Sequence, residues 1–147
     1  MLQAETLLPD IEATRALAAQ IAPHLRKGDM VALIGDLGVG KTEFARALLH
    51  SLGVLGDVPS PTFTLLQTYE NNGLFISHFD LYRLNSAEEL DELGWDDALA
   101  DGLVLTEWPE RAGDRLPSSR LVLNFKLTPD GTRSCAIEKR GSWQQRL

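Results

Sequence analysis

Eight consecutive residues, Gly35-Asp36-Leu37-Gly38-Val39-Gly40-Lys41-Thr42, satisfy the spacing G-x-x-x-x-G-K-[ST] at every constrained position. The chemistry this spacing serves is a cradle for a polyphosphate. Glycines let the backbone wrap closely round an anion and aim N–H groups at it, where a Cβ would obstruct. Lys41 supplies a point charge for the β and γ phosphates, and the Thr42 hydroxyl is placed to hold Mg²⁺. A helix starting near Lys41 directs its positive dipole end at the same anion. Such a match arises by chance on the order of once in a few hundred chains of this length. Two carboxylates complete the chemistry, because hydrolysis needs charge neutralisation and a positioned nucleophile. Asp80 follows Phe75-Ile76-Ser77-His78-Phe79, and Glu107 follows the cleaner apolar run Leu103-Val104-Leu105. Ligands of open α/β sheets lie beyond the carboxyl ends of the strands, which sets both acids beside the loop. Glu107 is assigned to the Mg²⁺ shell, directly or through water, and Asp80 to orienting water or the metal, with the two roles exchangeable.

These residues need elements to hold them. Met30-Val31-Ala32-Leu33-Ile34 has the continuous apolar character of a buried parallel strand, and Phe44, Leu48, Leu49 and Leu52 fall at helical spacing after the loop, with Gly53 as the cap. Upstream, a short strand at Thr6 to Leu8 precedes an amphipathic helix carrying Ile11, Thr14, Ala18, Ile21 and Leu25, ended by Gly28 or, a few residues earlier, by Pro23. Ser60-Pro61-Thr62-Phe63-Thr64 opens a β-rich stretch that Asn72-Gly73 folds into a hairpin. Ser86 with Glu89 reads as a capping box for a short acidic helix closed by Gly94, and a brief helix follows at Asp96 to Ala100. Leu121 to Leu127 and Ser134 to Glu138 flank a Pro129-Asp130-Gly131 turn, and the last six residues read as frayed. The fold class is α/β: a single P-loop NTPase domain over residues 1–147, with a central, mainly parallel sheet, added antiparallel strands and flanking helices.

The 147 residues carry a net charge of −7 and a pI of about 4.9, which disfavours autonomous binding to nucleic acid. Charge is unevenly spread. Leu84 to Glu110 holds nine acids and no Lys or Arg, whereas Ser119 to Leu147 is basic. Cys135 is the only cysteine, so no internal disulfide forms, and no long apolar segment opens the chain. The cytoplasm is the expected address. Thr62 and Thr64 stand where nucleotide switches sense a γ-phosphate, with a plain strand-start role as the alternative. His78 has no second His or Cys at ligand spacing, which argues against a metal role. Trp95 and Trp108 read as core or interface aromatics, with Trp108 near enough to Glu107 to report on a bound nucleotide. No N-K-x-D guanine signature occurs, so adenine is favoured. A small-molecule P-loop kinase and a nucleotide-sensing module without turnover are the competing readings.

The loop, together with Ser60-Pro61-Thr62-Phe63-Thr64-Leu65, His78-Phe79-Asp80-Leu81-Tyr82-Arg83-Leu84 and Glu107-Trp108-Pro109, resembles the bacterial tRNA threonylcarbamoyladenosine biosynthesis ATPase family, TsaE. Glu43 departs from that family, which commonly has a second Thr there. The resemblance implies a Mg²⁺-dependent ATPase, using ATP and yielding ADP, that works with TsaD and TsaB on adenosine 37 of tRNAs reading codons that begin with A. It meets tRNA only indirectly, through the complex, and alone is a monomer or weakly self-associating. It further implies that Lys41 and Thr42 bind phosphate and Mg²⁺, that Glu107 contributes to the metal, that Asp80 is needed for hydrolysis, and that Thr132 and Arg133 contact the nucleotide edge.

Overall fold

Five apolar residues in a row, without polar alternation, specify a strand covered on both faces. In the computed structural model, which describes residues 4–147, Met30–Ile34 is that strand, β2, and it lies at the centre of a seven-stranded sheet. The other strands are β1 (Glu5–Leu8), β3 (Leu66–Asn71), β4 (Leu74–Asp80), β5 (Leu103–Glu107), β6 (Arg120–Leu127) and β7 (Arg133–Arg140). Their order is β1-β7-β6-β2-β5-β4-β3. The inner four, β6, β2, β5 and β4, run parallel, and antiparallel pairings add β3 at one edge and β7 and β1 at the other.

Alternation along β2 builds two cores. Val31 and Leu33 face α1 (Ile11–Ile21) and α2 (Lys41–Ser51), packing with Leu17, Ile21, Phe44 and Leu48. Met30 and Ala32 face the other side, with Phe79, Leu90 and Trp95, under α3 (Glu89–Glu92) and α4 (Trp95–Asp101). Asp10 caps α1 by accepting from the Ala13 N–H at 2.9 Å. Gly53 ends α2 at φ +100°, where the Gly53 and Val54 N–H groups return to His50 and Leu49 carbonyls in a Schellman arrangement.

One open alternative is decided and three expectations are corrected. α1 stops at Ile21 and a 3₁₀ turn over Ala22–His24 contains Pro23, so the proline and not Gly28 ends the regular helix. The hairpin begins at Leu66, not near Ser60: the Leu65 N–H donates to Pro61 O at 2.7 Å and Leu65 sits at φ +66°, so the opening of the stretch expected to be β-rich is a turn, and Phe63 is 82 % exposed. The capping box forms only by half, with Glu89 accepting from the Asn85 and Ser86 N–H groups. The C-terminus does not fray. Trp143–Arg146 is a short helix, α5, whose Trp143 is 1 % exposed, and Arg146 reaches across to form a two-pronged ion pair with Asp29 at 2.6 and 2.8 Å.

Candidate active site

The loop between β2 and α2 needs glycine for steric reasons visible at two positions. Gly35, at φ +151°, lies so close to Phe125 O and Val39 Cγ2 that a Cβ would come within 2.7 Å of each; Gly40, at φ +103°, turns the chain into α2 in a conformation that side chains disfavour. Lys41 is only 5 % exposed. Its Nζ donates to the Gly35 carbonyl and lies 3.6 Å from the centroid of the Trp108 ring. Burial pushes the Lys41 pKa down, and the carboxylates of Glu107, Glu110, Asp80 and Asp36 oppose that shift.

Parallel pairing brings the two acids together. Asp80 on β4 stands in register with Glu107 on β5, and Glu107's strand partner on its other side is Leu33 of β2, two residues before the loop. Both acids are buried, at 4 % and 2 % exposure. Glu107 Oε1 accepts from the Thr42 hydroxyl at 3.0 Å, while its Oε2 accepts from His78 Nε2 at 2.7 Å. Asp80 Oδ1 accepts from the Tyr82 N–H at 3.0 Å and Oδ2 from the Thr62 hydroxyl at 3.3 Å. Burial raises the Asp80 pKa, the Tyr82 N–H opposes the rise, and the charge of Glu107 adds to it.

A cleft of about 290 Å³ gathers these groups, lined by Lys41, Thr42, Thr62, Asp80, Glu107 and Trp108 among others. Of the remaining residues read as nucleotide-binding, Leu37, Gly38, Gly40 and Arg133 also line it. Three do not. Val39 is 5 % exposed and packs into the core beneath the loop, Asp36 faces a neighbouring depression with Trp108 and Glu110, and Thr132 is held in the β6–β7 turn through its N–H to Asp130 at 3.0 Å. Thr64 is outside too, accepting from Gln67 at 3.2 Å. Trp95 is fully buried in the core, and Cys135 is likewise buried, its thiol pushed up to about 12.

His78 is the residue the sequence reading missed. It binds Glu107, and its Nδ1 is buried without a hydrogen-bond partner among the described residues. The available signal was position: His78 and Asp80 are two apart on one strand and share a face. Thr42 and Glu107 offer hard oxygens side by side, which fits Mg²⁺, an ion that takes one or two protein oxygens and completes its shell with phosphate and water. The glycine cradle at Gly35 and Gly40 likewise fits a phosphate chain.

The molecule is thus an α/β protein with a glycine loop and two buried acids at the carboxyl ends of adjacent parallel strands. The chain belongs to the family described as threonylcarbamoyl adenosine biosynthesis protein TsaE, whose model matches residues 8–135. It is 44 % identical over 138 residues to the tRNA threonylcarbamoyladenosine biosynthesis protein TsaE of Rickettsia bellii, covering 93 % of this chain and 96 % of that one. The Bacillus subtilis protein of the same description is 34 % identical over 137 residues, covering 92 % and 85 %. The crystal structure of YdiB from Bacillus subtilis matches with a TM-score of 0.78 at 30 % identity, covering 97 % of this chain and 87 % of that one. Among the described residues no helix is long and apolar enough to cross a membrane.

Proposed function

We propose that this chain is a P-loop ATPase serving the formation of threonylcarbamoyladenosine in tRNA, with ATP and Mg²⁺ in the cleft and TsaD and TsaB as its partners. The carrying observation is that Lys41, Thr42, Asp80 and Glu107, far apart in sequence, line one cleft at the end of the parallel strands. The backbone from Gly35 to Gly40 would cradle the phosphate chain, and Lys41, now bonded to the Gly35 carbonyl, would supply positive charge to the β and γ phosphates. Thr42 and Glu107 are the residues that would hold Mg²⁺, which neutralises charge developing on the phosphates. His78 holds Glu107 Oε2 by a hydrogen bond, and Trp108 shields Lys41 from water. Asp80, aimed by the Tyr82 N–H and the Thr62 hydroxyl, orients the attacking water. The acidic chain meets tRNA only through its partners.

Phosphate release from Mg-ATP, followed for this chain alone and with TsaD and TsaB added, tests the reading. Slow release alone and faster release with both partners is the expected outcome; no stimulation counts against it. Depletion of the chain in its host removes threonylcarbamoyladenosine from tRNA, as measured by nucleoside analysis, and an unchanged level would contradict the pathway assignment.

A further inference from the structure

Glu43 is the third residue of α2, and its carboxylate opens into the same cleft as Gly40, Lys41 and Thr42. Two effects oppose each other there. The positive end of the helix dipole stabilises a carboxylate in the first turn, yet the same N–H groups are those a phosphate uses. Arg133, the first residue of β7, answers the conflict. Its Nη1 donates to Glu43 Oε2 at 2.9 Å, and it passes Gly40 so closely that a Cβ there would lie 3.4 Å from the same nitrogen. The two side chains are 37 % and 42 % exposed, so the pair is screened by water and adds little to stability. A ligand phosphate is able to break it.

The sheet order places this pair relative to the acids. β6 and β7 lie on one side of β2, and β5 and β4 on the other, so Arg133 flanks the loop opposite Asp80 and Glu107. A nucleotide laid across the loop with its terminal phosphate toward the acids brings its nucleoside-proximal phosphate to Arg133. We infer that Glu43 sets nucleotide affinity by competing with that phosphate for Arg133, loosening the hold on nucleoside di- and triphosphates and hastening product release. This rests on the nucleotide-binding reading above and assigns to Glu43 a positioning role, exercised through Arg133. Arg–phosphate pairs are short, charge-assisted and commonly two-pronged, so the competition has a measurable effect.

Calorimetric titration of Mg-ADP into the whole chain and into Glu43→Gln, Glu43→Thr, Arg133→Met and the double variant Glu43→Gln/Arg133→Met tests it, with thermal unfolding of each protein without nucleotide as the check on folding. Glu43→Gln and Glu43→Thr are each expected to tighten Mg-ADP about fivefold, chiefly through slower dissociation. Arg133→Met weakens it about tenfold, and in that background Glu43→Gln changes affinity by no more than about twofold. Unchanged or weaker binding in both folded Glu43 variants overturns the inference, as does a gain that persists undiminished without Arg133, which would mean direct repulsion. Failure of the unaltered chain to bind Mg-ADP instead overturns the nucleotide reading itself.

Discussion

Strand β2 has buried charge at both of its ends, and the two ends are built on opposite terms. At its start, Asp29 takes both prongs of the Arg146 guanidinium and the Arg26 N–H, while Arg146 also donates to His24 O and stacks on Trp143 at 3.8 Å. Asp29 raises the pKa of Arg146, chiefly through these hydrogen bonds, so the charge is favoured where it sits. Beyond its other end, Lys41 and Asp80 are pushed the other way, one down and one up, each chiefly by burial. His78 Nδ1 is left there without a partner among the described residues. The difference separates a clasp from a working site: the first has charges that satisfy one another, and the second holds charges against their preference. Polar groups so placed are characteristic of sites that exchange partners with a ligand.

The comparison is open to attack at both ends. Lys41→Ala is expected to cost nucleotide affinity by roughly 10²–10³, measured by titration with Mg-ADP, while leaving the unfolding midpoint in urea nearly unchanged. Arg146→Ala should do the reverse. It strands Asp29 in the interior and lowers stability by about 3 kcal/mol in urea unfolding, with Mg-ADP affinity within twofold of the original. If Arg146→Ala weakened nucleotide binding as much as Lys41→Ala, the two ends would not be separable.

Asp80→Asn gives a smaller effect of opposite sign. A carboxyl whose folded pKa is raised binds its proton more tightly when folded, so its penalty on the folded state is present above that pKa and vanishes as pH falls through it. Asparagine removes the penalty and is expected to raise stability at neutral pH. The gain should shrink as pH falls toward the ordinary carboxylate value of 3.8, which urea unfolding across that range would show. Smallest of all is the effect at Cys135, which belongs to neither end: with its thiol pushed up to about 12 and fully buried, it should not react with a disulfide reagent at pH 8 unless the protein is unfolded.

Much of the working end was legible because it is local. The loop spacing, the apolar run of β2 and the acids closing β4 and β5 are each contained in a few neighbouring residues, and parallel pairing then sets Asp80 against Glu107. What escaped depends on partners distant in sequence. His78 is bound to Glu107 through the register of β4 against β5, and Glu43 meets Arg133 ninety residues on. Trp108 covers Lys41 from a left-handed conformation, φ +56°, just after β5. The clasp was missed altogether, since a tail of mixed polar residues resembles a frayed end until Trp143 is seen in the core with Arg146 drawn to Asp29. Within the acidic segment, Asp91 and Asp96 pair with Arg115 at 2.5 and 3.5 Å, a link from beyond the segment that the run of acids does not show.

The central claim, that the far end of β2 binds nucleotide with one set of groups and hydrolyses it with another, is tested most directly by Asp80→Ala. Mg-ATP affinity and phosphate release would be measured on the same preparation, with TsaD and TsaB present. Affinity is expected to stay within about threefold of the original while turnover falls by about 10²-fold or more. An equal loss of binding and turnover would contradict it.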